Sequence, residues 1–197
     1  MNKYTLSTET KKVNGHTLSK IEYSEEFKRQ TKEKYGINLE GGWIESEENL
    51  SQEGDARVGG DARVYGNACV YGDACVDGNA RVYGDARVYG DACVGGNAWV
   101  YGDAWVYGNA RVGGDARIFG NVRVYGDAWV YGNARVYGDA WVYGDAWIFG
   151  NATVSHGRTT SMDISTTAQW CEYQHRKAEL QAKFDKENNA EREKRTT

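Results

Sequence analysis

The chain contains no proline at all, although 25 of its 197 residues are glycine. Proline-free glycine excludes a stiff proline-rich linker and points to many tight turns instead. Histidine is scarce as well, with three in the whole sequence, and the four cysteines form no CxxC pair. That removes the ordinary zinc-ribbon spacings, and Cys69, Cys75, Cys93 and Cys171 are expected to be free thiols in a reducing cytoplasm. No apolar run approaches the ~18 residues that a membrane helix needs. The opening Met1-Asn2-Lys3-Tyr4-Thr5 lacks the apolar core of a signal peptide. A formal net charge of −4 gives no bulk attraction to nucleic acid or anionic lipid. The expectations are a bacterial cytoplasmic location, no membrane partner and no nucleic-acid partner.

What is abundant is a repeat. From Gly54 the chain runs Gly-Asp-Ala-Arg-Val-Gly, Gly-Asp-Ala-Arg-Val-Tyr, Gly-Asn-Ala-Cys-Val-Tyr, and the period of six holds without insertion to Ser155, giving 17 hexads. Gly and the following Asp or Asn suit a corner, because they tolerate positive φ or bond nearby backbone. The next four residues alternate, so Ala and Val face one way while the variable residue and the aromatic face the other. One hexad cannot bury its own Val, so hexads must stack. The aromatic is missing at Gly59, Asp77, Gly95 and Gly113, which are spaced by 18. Three hexads therefore make one coil of a triangular prism, about 27 Å long at about 4.8 Å per coil. Ile44, Leu50 and Ala56 keep the six-residue spacing and suggest a degenerate coil before Gly54.

The pattern Val-x-Gly-Asp/Asn-Ala-x resembles the hexapeptide signature of the left-handed β-helix superfamily, over about half the chain. The resemblance implies a left-handed parallel β-helix; the periodicity itself does not give the hand. Gly41-Gly42-Trp43-Ile44-Glu45-Ser46-Glu47-Glu48-Asn49-Leu50-Ser51-Gln52-Glu53-Gly54, running into GDA and GNA repeats, also resembles hexapeptide-repeat proteins of phages and prophages. By that analogy a homo-oligomer, often a trimer, is expected. The fold class is an all-β solenoid with a small α+β cap over 1–53 and a C-terminal α-helix within 156–197. In the cap, Asn14-Gly15 signals a hairpin; Ser24 suits a helix N-cap and Gly36 its stop. In the C-terminal part, Trp170, Tyr173, Leu180 and Phe184 fall on one helical face, with Lys177 the weak position, and a charged tail follows Asn188. That helix either caps the last coil or joins subunits.

Chemistry is hard to find. Acyltransferases of this superfamily use a histidine in or near a loop that interrupts the coils, and gamma-class carbonic anhydrases hold zinc through three histidines. Here the hexads are uninterrupted and free of histidine, and His16, His156 and His175 lie in the two flanks. No catalytic residue, metal site or cofactor is expected; His156 is the one candidate base if the chain is a divergent acyltransferase. Asp55, Asp73, Asp91, Asp127 and Asp145 form a corner column, interrupted by Asn109, which suits hydrated carboxylates bonded to turn amides.

The outward residues are the unusual feature. One face runs Cys69, Arg87, Trp105, Arg123, Trp141, beside Tyr71, Tyr89, Tyr107, Tyr125 and Tyr143. Large apolar exteriors mark interfaces, so Arg87, Trp105, Arg123, Trp141, Tyr89, Tyr107, Tyr125 and Tyr143 are candidate partner-binding residues. A second face carries small residues, Gly59, Cys75, Asp77, Cys93, Gly95 and Gly113, ending at Trp129, Tyr131, Trp147 and Phe149. This predicts a trough holding another segment: the N-terminal cap, a neighbouring subunit or a soluble partner. The expected function is a non-catalytic structural or interaction protein binding a protein partner or itself. The alternatives are a sequestering protein that holds a nucleotide or host factor, and the acyltransferase.

Overall fold

A computed structural model of the chain describes residues 2–160 and 163–164. The expected C-terminal helix and tail lie outside the described residues. Within the repeat each hexad folds as the alternation requires. Every Ala and Val of the series from Ala56 to Val154 is buried, with Ile118 and Ile148 at Val positions. Full burial of one such Val is worth about 1.5–3 kcal/mol, and the coils stack these side chains into one continuous core.

Each corner glycine from Gly54 to Gly150 has a positive φ. Gly90 shows why nothing larger serves: φ is 69°, and a Cβ there would lie 3.0 Å from the amide nitrogen of Gly108 in the next coil. Glycine therefore supplies both the left-handed backbone and the close coil-to-coil approach. Val122 replaces the corner Ala in its hexad yet stays buried. The glycine two residues before it, Gly120, opens to φ 82°, against 62–73° at the other corners of the repeat.

Between coils, backbone amides donate to the carbonyls one coil on, as in Trp105 N to Val122 O (2.8 Å), Tyr107 N to Val124 O (2.9 Å) and Asp85 N to Gly102 O (3.0 Å). The strands of the repeat, two or three residues long, form three parallel columns. The Trp105 face holds Cys69, Arg87, Trp105, Arg123, Trp141 and Arg158 in register. The Cys75 face holds Arg57, Cys75, Cys93, Arg111, Trp129, Trp147 and Asp163. The third begins at Trp43 and passes through Arg63 and Trp99 to Thr153. The chain is an all-β solenoid with three faces per coil.

Both ends of the repeat differ from the expected boundaries. The solenoid does not stop at Ser155: Arg158 pairs with Trp141 and Asp163 with Trp147. Thr159, fully buried, stands where a Val would. The register there is 17 and then 16 residues instead of 18, so the last coil is too short for the hexad pattern to betray it. At the other end, Ile44 lies beside Val64 and Leu50 beside Val70, each 20 residues back. Both fill Val positions of a degenerate coil. Ala56 does not continue their series: its spacing coincides with the pattern, but the next Val position belongs to Val58, which pairs with Val76.

The cap extends one face of the solenoid. Strands β1 (Tyr4–Val13) and β2 (His16–Tyr23) form the hairpin signalled by Asn14-Gly15, and β2 runs antiparallel to β3 (Trp43–Ile44), the first strand of the Trp99 face. Helix α1 (Glu25–Tyr35) starts at Ser24, whose hydroxyl accepts from the amide of Phe27, and stops at Gly36 in the left-handed region. Tyr23 locks the cap to the first coil: its hydroxyl donates to Val58 O at 3.0 Å and accepts from Val58 N at 2.7 Å.

Candidate interaction faces

On the Trp105 face every second coil presents a guanidinium and the coil between presents an indole. The Cζ of Arg87 lies 5.0 Å from the Trp105 ring centre, that of Arg123 lies 5.2 Å from Trp105 and 4.7 Å from Trp141, and that of Arg158 lies 4.5 Å from Trp141. Cation–π attraction thus orders each guanidinium. Beside this column Tyr71, Tyr89, Tyr107, Tyr125 and Tyr143 stack at 4.8–5.0 Å with interplanar angles of 4° or less. Burial in the stack pushes the Tyr71, Tyr89 and Tyr107 hydroxyls above their ordinary values.

Such stacking turns the ring faces along the rod. Outward, the surface offers ring edges, hydroxyls and guanidinium N–H groups. Trp105 and Trp141 are only partly exposed, so the face presents polar groups beside its ring edges. Among the described residues, neither Arg87 nor Arg123 forms an ion pair with a carboxylate; the ion pairs of the described chain lie in the cap and its contact with the first coils. The acids flanking this face stand at the corners, where Asp85, Asp91, Asp103, Asp127 and Asp145 are exposed. Several corner carboxylates bond along the rod, as Asp85 does from Asn67 and Asp127 from Asn109, both at 2.9 Å. In the Asp55 column the Asp55 amide donates to Asp73 Oδ1 at 3.1 Å.

The trough on the Cys75 face is not one groove. The cap reaches only its first position: Gly41 bridges to Gly59, and Gly60 N donates to Glu40 O at 3.2 Å. The space over Gly95 is taken by the carboxylate of Asp77 and that over Gly113 by the ring of Tyr131. Three different neighbours fill what the spacing alone suggested one segment would fill. Beside these, Arg57, Cys75, Cys93 and Arg111 form a single in-register column.

The most exposed apolar cluster lies further along this same face. Trp147 and Phe149 are 47% and 40% exposed, Trp129 and Trp147 stack at 5.2 Å, and with Tyr131 and Ile148 they line a cavity of about 260 Å³. These side chains were legible as a wall. Their degree of exposure was not. Lys11 and Lys20 over the Trp43 ring, at 3.8 and 5.1 Å, were also missed; their meeting depends on the β2–β3 pairing, which no local signal reveals.

The two histidines among the described residues are not brought together. His16 lies 2.9 Å from both Glu45 oxygens and packs 5.0 Å from Tyr65 at the capped end. His156 contacts Ser155 Oγ at 2.8 Å in the last coil, and His175 is outside the described residues. Among the described residues no group of three or more His, Cys, Asp or Glu could hold a metal ion, and no helix is long and apolar enough to cross a membrane.

The YdcK beta-solenoid repeat model matches at residues 56–72, 62–79, 80–96, 116–132 and 128–144. Each match is about one coil long, and all fall inside the stacked columns. The chain is a β-solenoid repeat protein. No curated protein matches the sequence.

Proposed function

We propose that this solenoid is a non-catalytic structural and interaction protein of the left-handed hexapeptide kind and of phage or prophage type, acting in the bacterial cytoplasm, and that it associates with copies of itself through the Trp105 face. One observation carries the reading: Arg87 and Arg123 are ordered by indoles yet have no carboxylate partner among the described residues. Ordering them in advance lowers the entropy cost of a charge-assisted bond to a neighbour.

A second copy is the partner that fits by geometry. Two copies share the same coil rise, so a column of exposed corner aspartates on one rod stays in step with a column of guanidinium groups on another. An unrelated surface has no such common repeat. The reading rests on that commensurability and on charge complementarity, with the Tyr hydroxyls as added donors and acceptors.

The test is sedimentation equilibrium of the full chain beside the Trp105→Thr/Trp141→Thr double variant. Wild type is expected as an oligomer, and the variant as a smaller species with its β-sheet circular dichroism intact. An unchanged mass would remove the face from the interface. Thermal stabilisation by a nucleotide or by acyl-CoA would instead favour the sequestering or the acyltransferase reading.

A further inference from the structure

We propose that Cys93 and Cys75 form a thiol–disulfide exchange site, in which Cys93 attacks anionic low-molecular-weight disulfides and Cys75 resolves the product into a bridge between neighbouring coils. The two cysteines are in-register partners on adjacent parallel strands. Such strands lie about 4.8 Å apart, within the Cα separation of about 4.4–6.8 Å that a disulfide spans. Among the described residues Cys69 has no such companion, because its in-register neighbour is Arg87.

The surroundings divide the labour. Cys93 is partly exposed and so accessible, whereas Cys75 is buried. Arg57 stands in register on the other side of Cys75, and Arg111 on the other side of Cys93. Arg57 is 8% exposed and its Nε has no hydrogen-bond partner. Tyr35 of the cap covers its guanidinium at 4.3 Å. Arg111 is held 5.1 Å from the ring centre of Trp129. The thiol pair stands between two guanidinium groups with one carboxylate, Asp77, beside Cys75, so cations outnumber the adjacent acid in a chain of net charge −4, and such surroundings favour the thiolate. The neighbouring Cys75 thiol and the charges of Arg57 and Arg111 hold Cys93 below the ordinary thiol value, against burial and the charge of Asp77. The Cys93 neighbour and burial push Cys75 up. Cys75 Sγ also lies 3.6 Å from Asp77 Oδ2, an acceptor for its proton.

The chemistry balances. The Cys93 thiolate forms a bond to one sulfur of the disulfide, the S–S bond breaks, and one thiolate leaves. Cys75 then attacks the Cys93 sulfur and expels the second thiolate; its proton passes by way of Asp77 to one leaving thiolate, and the proton that Cys93 shed to solvent on ionising goes to the other. The protein loses two electrons and two protons in all, and the small disulfide becomes two thiols. In a flat ladder the Cβ atoms stand nearly as far apart as the strands, beyond the roughly 3.8 Å of a relaxed disulfide. The bridge is therefore strained and easily reduced, as befits a reversible mark.

The experiment uses full-length protein carrying Cys69→Ser and Cys171→Ser, treated at neutral pH with oxidised glutathione or with the cationic disulfide cystamine. Intact mass should fall by two hydrogens, and peptide mapping should join Cys75 to Cys93. Adding Cys75→Ser should trap glutathione on Cys93. Adding Cys93→Ser should slow the reaction about tenfold or more. Arg111→Gln should slow glutathione more than cystamine. Because Cys75→Ser alters a buried site, glutathione uptake is also mapped on unsubstituted protein, where Cys93 should react before Cys69. The proposal is overturned if Cys93 reacts no faster than Cys69, if the mixed disulfide persists without passing to Cys75, or if the Arg111 change affects both disulfides equally.

Discussion

The ring of Tyr131 occupies the space that a side chain on Gly113 would need. Gly113 lacks the positive φ of the corner glycines, so the missing side chain reflects packing and not backbone geometry. Gly113→Ala should therefore cost about 1–3 kcal/mol, the usual range for overpacking. Tyr131→Ala in the same chain should relieve the clash, and a double-mutant cycle from urea denaturation should give a coupling of about 0.5–3 kcal/mol. Additive effects would mean that the two residues do not share this space.

Gly95→Ala is the contrasting case. The atom in its way is the end of the Asp77 side chain, which is exposed and tied only by the weak contact with Cys75 Sγ, so it can swing outward. This substitution should change stability by less than about 0.5 kcal/mol, the usual range for a surface site. A loss as large as that of Gly113→Ala would show that Asp77 is fixed in place.

Val106 lies mid-rod and is fully buried. Val106→Asp would place a carboxylate among stacked Val and Ala with no partner, at a cost of several kcal/mol. Loss of the β circular dichroism signal at room temperature is expected. Retention of the signal and of the melting temperature would contradict the inward assignment.

The capped end should be acid-sensitive. Glu45 accepts from Gly66 N at 2.8 Å and contacts His16 at 2.9 Å, and these bonds hold its carboxyl below the ordinary value. Asp55 is held low in the same way by Lys34 and, at 3.0 Å, by Tyr35. Unfolded chain binds protons more readily at both sites, so their contribution is complete above about pH 4.5 and is lost as pH falls through the depressed folded values. Hydrogen exchange should show protection of β1, β2 and α1 falling there before that of the coils around Val106. Simultaneous loss would show that the cap is not held by these pairs.

Much of the fold was legible because every link in it is short. A corner needs Gly at one place, a strand needs Val two residues from Ala, and a spacing of 18 at Gly59, Asp77, Gly95 and Gly113 counts three faces. Ile44 and Leu50 declared the degenerate coil for the same reason. The misreadings came where distant segments or side-chain direction decide. Thr159 hides the last coil because its register is 17 rather than 18. The aromatic ladder was legible as a row of Tyr, but the turning of the ring faces along the rod depends on stacking between coils. The trough failed because a glycine records room for a neighbour without saying which neighbour takes it.

Self-association through Arg87 and Arg123 is tested most directly by sedimentation equilibrium of the wild-type chain as salt rises from about 0.1 M to about 1 M, which shortens the Debye length from about 10 Å to about 3 Å. The prediction is an oligomer at low salt whose mass falls as salt rises, and a monomer at both salts for Arg87→Glu/Arg123→Glu. A wild-type chain that stays monomeric at every concentration and salt, or an oligomer indifferent to both salt and the charge reversal, would contradict it.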